Sequence, residues 1–207
     1  MRTTTLQATL RALAVAWLAL LLLGATDRSQ RPVDDFASHA GELLVADSGM
    51  PDPRFRHSVI LMVRHGSDGA MGLIVNKTML EAPLGALFHG IEGRDSDRKI
   101  AVHYGGPVEP NKGFVLHSRE VAVDGTLLIQ SDFALFANPD IIQKIGAGEG
   151  PRLTLFAFGY AGWGPGQLER EIARGDWHWA QADEALVFDP ADEGKWQKAL
   201  DRRKIEL

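Results

Sequence analysis

The sequence of 207 residues contains no cysteine. Disulfide bonds, thiol catalysis and zinc–thiolate sites are therefore excluded, although the absence does not decide the compartment. The seven histidines include no pair at i, i+4 spacing with a glutamate between them, as metalloprotease zinc sites require. The G-x-S-x-G turn of serine hydrolases is also missing. The residues therefore predict no catalytic set, no metal site and no cofactor, and an enzyme is the less favoured class.

Long hydrophobic runs are also scarce. The longest, ALAVAWLALLLL at residues 12–23, follows a polar lead with two arginines and precedes small residues at 24–26. As a helix it would span about 18 Å, short of the ~30 Å hydrocarbon core. The pattern predicts a signal peptide or an N-terminal anchor over residues 1–26, followed by a polar linker over 27–40.

This leader sets the expected compartment. The protein is predicted to be exported or membrane-anchored, with membrane association through residues 12–23. If translation starts further downstream than Met1, the protein is instead cytoplasmic. Residues 41–207 are long enough to form one domain with a sizeable core.

Positive charge is in short supply. The formal net charge is −5, and residues 27–207 alone carry −7, because residues 1–26 contain two arginines and no acidic residue. An acidic body does not attract a polyanion, so binding to nucleic acid is not expected. The expected partner is a protein or a small molecule of unknown identity.

Residues 41–207 alternate short Val-, Ile- and Leu-rich runs with turns, and no regular β-α-β-α order is present. This predicts an α+β domain with a mixed sheet that curls towards a barrel. Predicted strands cover 42–46, 58–63, 71–75, 99–104, 113–116, 126–129 and 152–158, and the alternation at 177–179 is also typical of a strand. Predicted helices cover 83–89, 139–146, 165–174 and 190–202, each with a proline in its first turn.

The stretch GYAGWGPGQLEREI at 159–172 raises the question of a phosphate cradle. No Lys or Ser/Thr follows the last glycine, as a P-loop requires, and Glu169 and Glu171 would repel a phosphate from the helix start. The alternative is a helix-start motif in which Gly164 is the N-cap and Gln167 reaches back to its N–H. Trp163 then forms a hydrophobic staple with the residue at position 168. The sequence favours this second interpretation.

With these segments in view, the chain resembles the YqgE/AlgH family. The matching motifs run in order through most of residues 41–200 and read GELLVA (41–46), HSVILMVRH (57–65), GAMGLIVNK (69–77), YGGPV (104–108), GFVLH (113–117) and GYAGWGPGQLEREI (159–172). The resemblance implies one compact α+β domain with a mixed, barrel-like sheet. It brings no known reaction, since the family is commonly labelled uncharacterised or a transcriptional regulator. The forty residues before Gly41 are additional to the typical family pattern.

The glycine-rich turn YGGPV and the tryptophan-bearing loop could be simple turns or two walls of one cleft. The candidate cleft residues are Asn76, Tyr104, Gly105, Gly106, Pro107, His117, Trp163, Gln167 and Glu169. The leading hypothesis is a domain that binds a ligand or partner. One alternative is a hydrolase or nucleotide-processing enzyme with its site between the two segments, using His117 or Glu169 as acid or base. The other is a transcriptional regulator.

Overall fold

The computed structural model describes residues 37–88, 91, 93–121, 124–130, 132–136 and 140–204. The predicted signal peptide or anchor at 1–26 and most of the predicted linker at 27–40 lie outside these residues. Among the described residues, no helix combines the length and apolar character needed to cross a membrane.

Ten strands and five helices are present in the described part of the chain. The strands are β1 (Leu43–Ala46), β2 (Val59–Gly66), β3 (Gly69–Ile74), β4 (Thr78–Pro83), β5 (Lys99–Tyr104), β6 (Val108–Ser118), β7 (Leu127–Ile129), β8 (Phe133–Phe136), β9 (Thr154–Trp163) and β10 (Trp177–Ala180). The helices are α1 (Leu84–Leu87), α2 (Asp140–Ala147), α3 (Gln167–Ala173), α4 (Glu184–Val187) and α5 (Lys195–Leu200).

Strand β9 is the centre of the sheet. The strand order is β10-β1-β2-β3-β9-β6-β8-β7, and the β4–β5 pair joins through β5. β6 pairs with β9 in the antiparallel sense. β3 pairs antiparallel with the later part of β9, and β5 pairs parallel with its earlier part. One parallel pairing among antiparallel ones makes the sheet mixed, which confirms the predicted α+β class.

The apolar residues of the central strands alternate between two cores. Leu73 of β3 and the following Val75 are buried in one core, with residues of α4 and α5. Ile74 is buried in the other, which also contains Trp163 and Leu168. The nearly continuous apolar run at 71–75 is therefore covered on both faces, as expected for such a strand. The second core is the one that carries the candidate site.

The structure corrects several predicted elements. The sequence did not predict three of the observed elements, β4, β8 and α4. Two predicted helices, at 83–89 and 190–202, are shorter in the structure and cover Leu84–Leu87 and Lys195–Leu200. The second begins late because Gly194 is in the left-handed region (φ 78°), which ends the preceding turn. Exposed β4 lacks the alternation that identifies a half-buried strand.

Candidate functional site

The YGGPV turn lies directly against the backbone of β9. The Gly105 N–H donates to Phe158 O at 2.8 Å, and a Cβ at Gly106 would overlap the Tyr160 and Ala161 backbone. A Cβ at Gly159 would likewise overlap the Gly106 carbonyl oxygen. The glycines therefore allow a close backbone approach. No cleft separates the two segments at this point, and only the Pro107 end of the turn reaches an open groove.

The tryptophan-bearing loop is a helix-start motif. Gln167 Oε1 accepts a hydrogen bond from Gly164 N at 3.1 Å, which is the predicted reach-back contact. Trp163 and Leu168 are both buried in the second core, as a hydrophobic staple requires. The predicted cap position is wrong, because Gly166, with φ 67°, is the N-cap and the helix begins at Gln167. The Gly164 amide is thus already occupied within the motif.

Glu171 of α3 joins the two tryptophans of this region. Its Oε2 accepts hydrogen bonds from Trp163 Nε1 and Trp177 Nε1, each at 2.9 Å, and its Oε1 accepts from Gln167 Nε2 at 3.0 Å. The two indole rings meet edge to face, with centroids 5.9 Å apart. One carboxylate therefore fixes both rings and satisfies both indole donors.

A groove of about 370 Å³ opens beside these rings. Its opposite wall is the segment from Met50 to Phe55, and the Phe55 ring lies 5.5 Å from Trp177 and 6.5 Å from Trp163 between centroids. Pro107 and Val108 close the third side. Phe55 is therefore the main accessible ring of the groove, because Trp163 and Trp177 are only 7% and 2% exposed and much of the remaining lining is polar.

Two arginines lie at the rim of this groove, each beside an aspartate. Asp52 accepts from Arg54 Nε at 3.1 Å and Nη2 at 2.6 Å, and the Arg54 guanidinium lies 5.7 Å from the Phe55 ring centroid. The hydrogen bonds from Arg54 lower the pKa of the Asp52 carboxyl. Arg174 Nη2 donates to Asp176 Oδ2 at 2.7 Å. Both guanidinium groups are thus oriented while remaining more than half exposed.

Part of the predicted cleft converges on this groove. Pro107, Trp163 and Gln167 line it. Tyr104 packs against the second core, where burial raises the pKa of its hydroxyl. Gly105 and Gly106 hold the turn behind it through the close approach to β9.

The other three predicted residues lie elsewhere. Asn76 is used internally, since its amide bonds Val59 N and His57 O, both at 2.8 Å. His117 is fully buried, and its Nδ1 donates to Ser118 O at 2.9 Å, at the end of β9 remote from Trp163. Glu169 Oε1 is 3.0 Å from His65 Nε2 and does not line the groove. The acid and base of the enzyme hypothesis therefore do not meet at one site.

Several groove residues are missing from the set predicted from the sequence. They are Asp52, Arg54, Phe55, Glu171, Arg174 and Trp177. The sequence pattern indicates Glu171 only as a charge near the start of a helix, and Trp177 only as a residue that packs in the core. The run PDPRF at 51–55 is the sequence pattern that could have indicated part of the groove, because two prolines stiffen a loop that carries an arginine and an aromatic residue.

A second polar cluster lies away from the groove. Lys195 is fully buried, and its Nζ donates to Val75 O at 2.8 Å and is 3.9 Å from Asp192 Oδ1. His103 Nδ1 donates to Phe156 O at 3.2 Å, which leaves Nε2 to accept from Thr78 Oγ1 at 3.3 Å. Burial lowers the pKa of both Lys195 and His103. Among the residues that the structure describes, no His, Asp and Glu group is arranged to hold a metal.

A larger cavity, of about 470 Å³, is polar in character. Gln130 lines it with the C-terminal residues Arg202, Arg203 and Lys204, and two of these cations are paired, Arg202 with Asp183 and Lys204 with Glu42. Because most of its cations are paired and it contains one aromatic ring, Phe133, this cavity is the weaker candidate.

The protein is thus an α+β domain with a curled mixed sheet and a groove of mixed polar and apolar lining beside its second core. Residues 43–207 match the family model described as AlgH-like (DUF179), and the chain belongs to this family. The resemblance found in the sequence motifs is thereby confirmed.

Its relatives include a UPF0301 protein of Cereibacter sphaeroides, 43% identical over 170 residues that cover 81% of this chain and 92% of the relative. A UPF0301 protein of Methylococcus capsulatus is 43% identical over 173 residues, covering 83% and 94%. The solution structure of the AlgH protein from Pseudomonas aeruginosa superposes with a TM-score of 0.67 at 34% identity, covering 78% of this chain and 87% of that one. Family membership assigns no biochemical activity.

Proposed function

We propose that this protein acts by binding, and that its site is the groove between the segment at 50–55 and helix α3. The ligand carries a flat apolar ring that packs on Phe55 and the rims of the two indoles. The observation that carries this proposal is the Glu171 carboxylate, which holds Trp163 and Trp177 in one fixed arrangement. Because these buried rings are already fixed behind Phe55, a ligand binds there with little ordering cost, and the groove volume is within the range of small-molecule sites.

The chemistry of the lining also favours binding over catalysis. The lining contains no serine, threonine, lysine or histidine among the described residues, so its titratable groups are carboxylates and arginines. Asp52 and Glu171 are each engaged by several donors. The alternative of a hydrolase has no support from His117 or Glu169, which lie outside the groove. A regulator that binds DNA is disfavoured by the net charge of −5.

Heteronuclear NMR of the nitrogen-labelled 207-residue chain tests this proposal. Neutral naphthylacetamide is the probe, and the indole Nε1–H signals of Trp163 and Trp177 report on the groove. We expect saturable shifts of both signals, with smaller changes at Trp196, whose indole donates to Ala46 O elsewhere.

Phe55→Ala should weaken the probe about tenfold, because it removes one wall of the aromatic surface. Phe88→Ala is the matched control, since Phe88 is also partly buried but packs in a different cluster. Probe shifts that avoid Trp163 and Trp177, or an affinity that Phe55→Ala leaves unchanged, would overturn the proposal.

A further inference from the structure

Most carboxylate oxygens of the groove already accept hydrogen bonds, including Asp176 Oδ2, which accepts from Arg174. The two Asp52 oxygens accept from Arg54 N, Nε and Nη2 at 2.6 to 3.2 Å. Both Glu171 oxygens accept from the two indoles and from Gln167. A ligand therefore finds few free acceptors on this surface, and a ligand group that only donates hydrogen bonds gains little.

The N–H donors of the two groove arginines, in contrast, are only partly used. A guanidinium group has five N–H donors in a planar fork. Arg54 directs Nε and Nη2 to Asp52, and Arg174 directs Nη2 to Asp176, so Arg54 Nη1 and Arg174 Nη1 and Nε make no hydrogen bond among the described residues. Both side chains are more than half exposed at the rim. The aspartates hold them in place and leave part of each fork open to a ligand.

We infer that the groove selects ligands in which the flat apolar ring carries an anionic group, a carboxylate or a phosphate, bound by the guanidinium groups of Arg54 and Arg174. This inference rests on the proposed function, because the ring must occupy the groove for the anion to reach the rim. Charge-assisted hydrogen bonds from arginine to carboxylate or phosphate are among the strongest available to proteins.

The selection comes from local donors, since the overall field is unfavourable. The lining carries two arginines against Asp52, Glu171 and Asp176, and the whole chain is acidic. Bare inorganic phosphate, which lacks the ring, should therefore bind weakly. The ring supplies affinity from the floor, and the rim then discriminates between charged and neutral forms of one scaffold.

Calorimetric titration with three probes on one scaffold tests the inference. Neutral naphthylacetamide, anionic naphthylacetate and naphthyl phosphate share the ring and differ in the head group. We expect the better anion to bind about tenfold more tightly than the amide. If naphthylacetate has the higher affinity, the head group is a carboxylate, and if naphthyl phosphate has the higher affinity, it is a phosphate.

Variants separate the rim from the floor. Arg54→Gln and Arg174→Gln should each reduce the anion-to-amide affinity ratio at least about threefold. Arg64→Gln is the matched control, since Arg64 is similarly exposed and pairs with Asp68 at 2.8 Å outside the groove. It should leave the ratio unchanged.

The outcomes distinguish this inference from the proposed function. Equal binding of amide and anions, or a ratio that neither arginine variant changes, would overturn the anion selection while the binding groove stands. Absence of binding by all three probes would overturn both. A ratio that falls equally in Arg64→Gln would show a general charge effect and would also overturn the inference.

Discussion

Gly106 and Gly159 bring two distant segments of the chain into direct backbone contact, because neither residue leaves room for a Cβ atom. Gly159 also has a positive φ of 71°, which side chains other than glycine rarely adopt. This contact fixes the YGGPV turn on β9 and sets where Pro107 meets the groove. Packing thus explains the glycines at 105, 106 and 159, whereas Gly166 is favoured by its positive φ at the N-cap of α3.

Gly159→Ala should destabilise the fold by more than about 3 kcal/mol, because it combines a left-handed backbone with a clash against Gly106. Urea unfolding measures this change. The matched control is Gly175→Ala, since Gly175 has a φ of 82° and a Cβ added there would meet no atom within 4 Å. It should lose only about 1 kcal/mol, the cost of the backbone alone. Equal losses in the two variants would contradict the close-approach account.

Glu171→Ala should lower the free energy of unfolding by about 1–3 kcal/mol, because two indole N–H groups lose their acceptor. The same variant should also broaden or shift the Nε1–H signals of Trp163 and Trp177, as the rings lose their fixed arrangement. Urea unfolding and NMR provide the two readouts. Glu81→Ala, at an exposed site in β4, should change neither. Unchanged indole signals in Glu171→Ala would show that the carboxylate does not organise the rings.

Lys195 should make stability depend on alkaline pH. Burial lowers its pKa in the folded state below the ordinary 10.5, so the unfolded chain binds more protons between the two values. The free energy of unfolding therefore rises with pH through that window. Lys195→Met should flatten the rise, whereas Lys112→Met, at an exposed lysine, should preserve it. Urea unfolding over a pH series measures the slope, and an identical slope in wild type and Lys195→Met would refute the effect.

His103 should destabilise the fold under mild acid. Its pKa is lowered from 6.5 chiefly by burial, so the unfolded state takes up the proton first as the pH falls. The contribution of neutral His103 is fully present above pH 6.5 and is lost as the pH falls through the lowered folded value. Urea unfolding of His103→Asn should show a smaller loss of stability on acidification than wild type, and exposed His57→Asn provides the comparison. A larger acid loss in His103→Asn would reverse the sign of this account.

Local patterns in the sequence predicted the parts of the fold that depend on near neighbours. The reach-back bond from Gln167 to Gly164 spans three residues, so its spacing was visible in the sequence. The apolar runs at 58–63 and 71–75 likewise predicted strands, which are β2 and β3, and the nearly continuous apolar sequence at 71–75 also predicted cover on both faces.

The groove depends on contacts that the sequence does not display. Phe55 meets Trp163 and Trp177 across more than one hundred positions, and only the strand order places them together. His117 shows the same limit, since the register of β6 on β9 pairs it with Thr154, remote from the tryptophan-bearing loop. Glycine motifs indicated where backbones approach, and the open surface formed beside that contact.

Intermolecular NOEs between naphthylacetate and the 207-residue chain test the central claim most directly. The account predicts NOEs from the naphthyl protons to Phe55 and Pro107, which line the groove. NOEs to the larger polar cavity around Gln130 and Lys204, with none to Phe55, would contradict it.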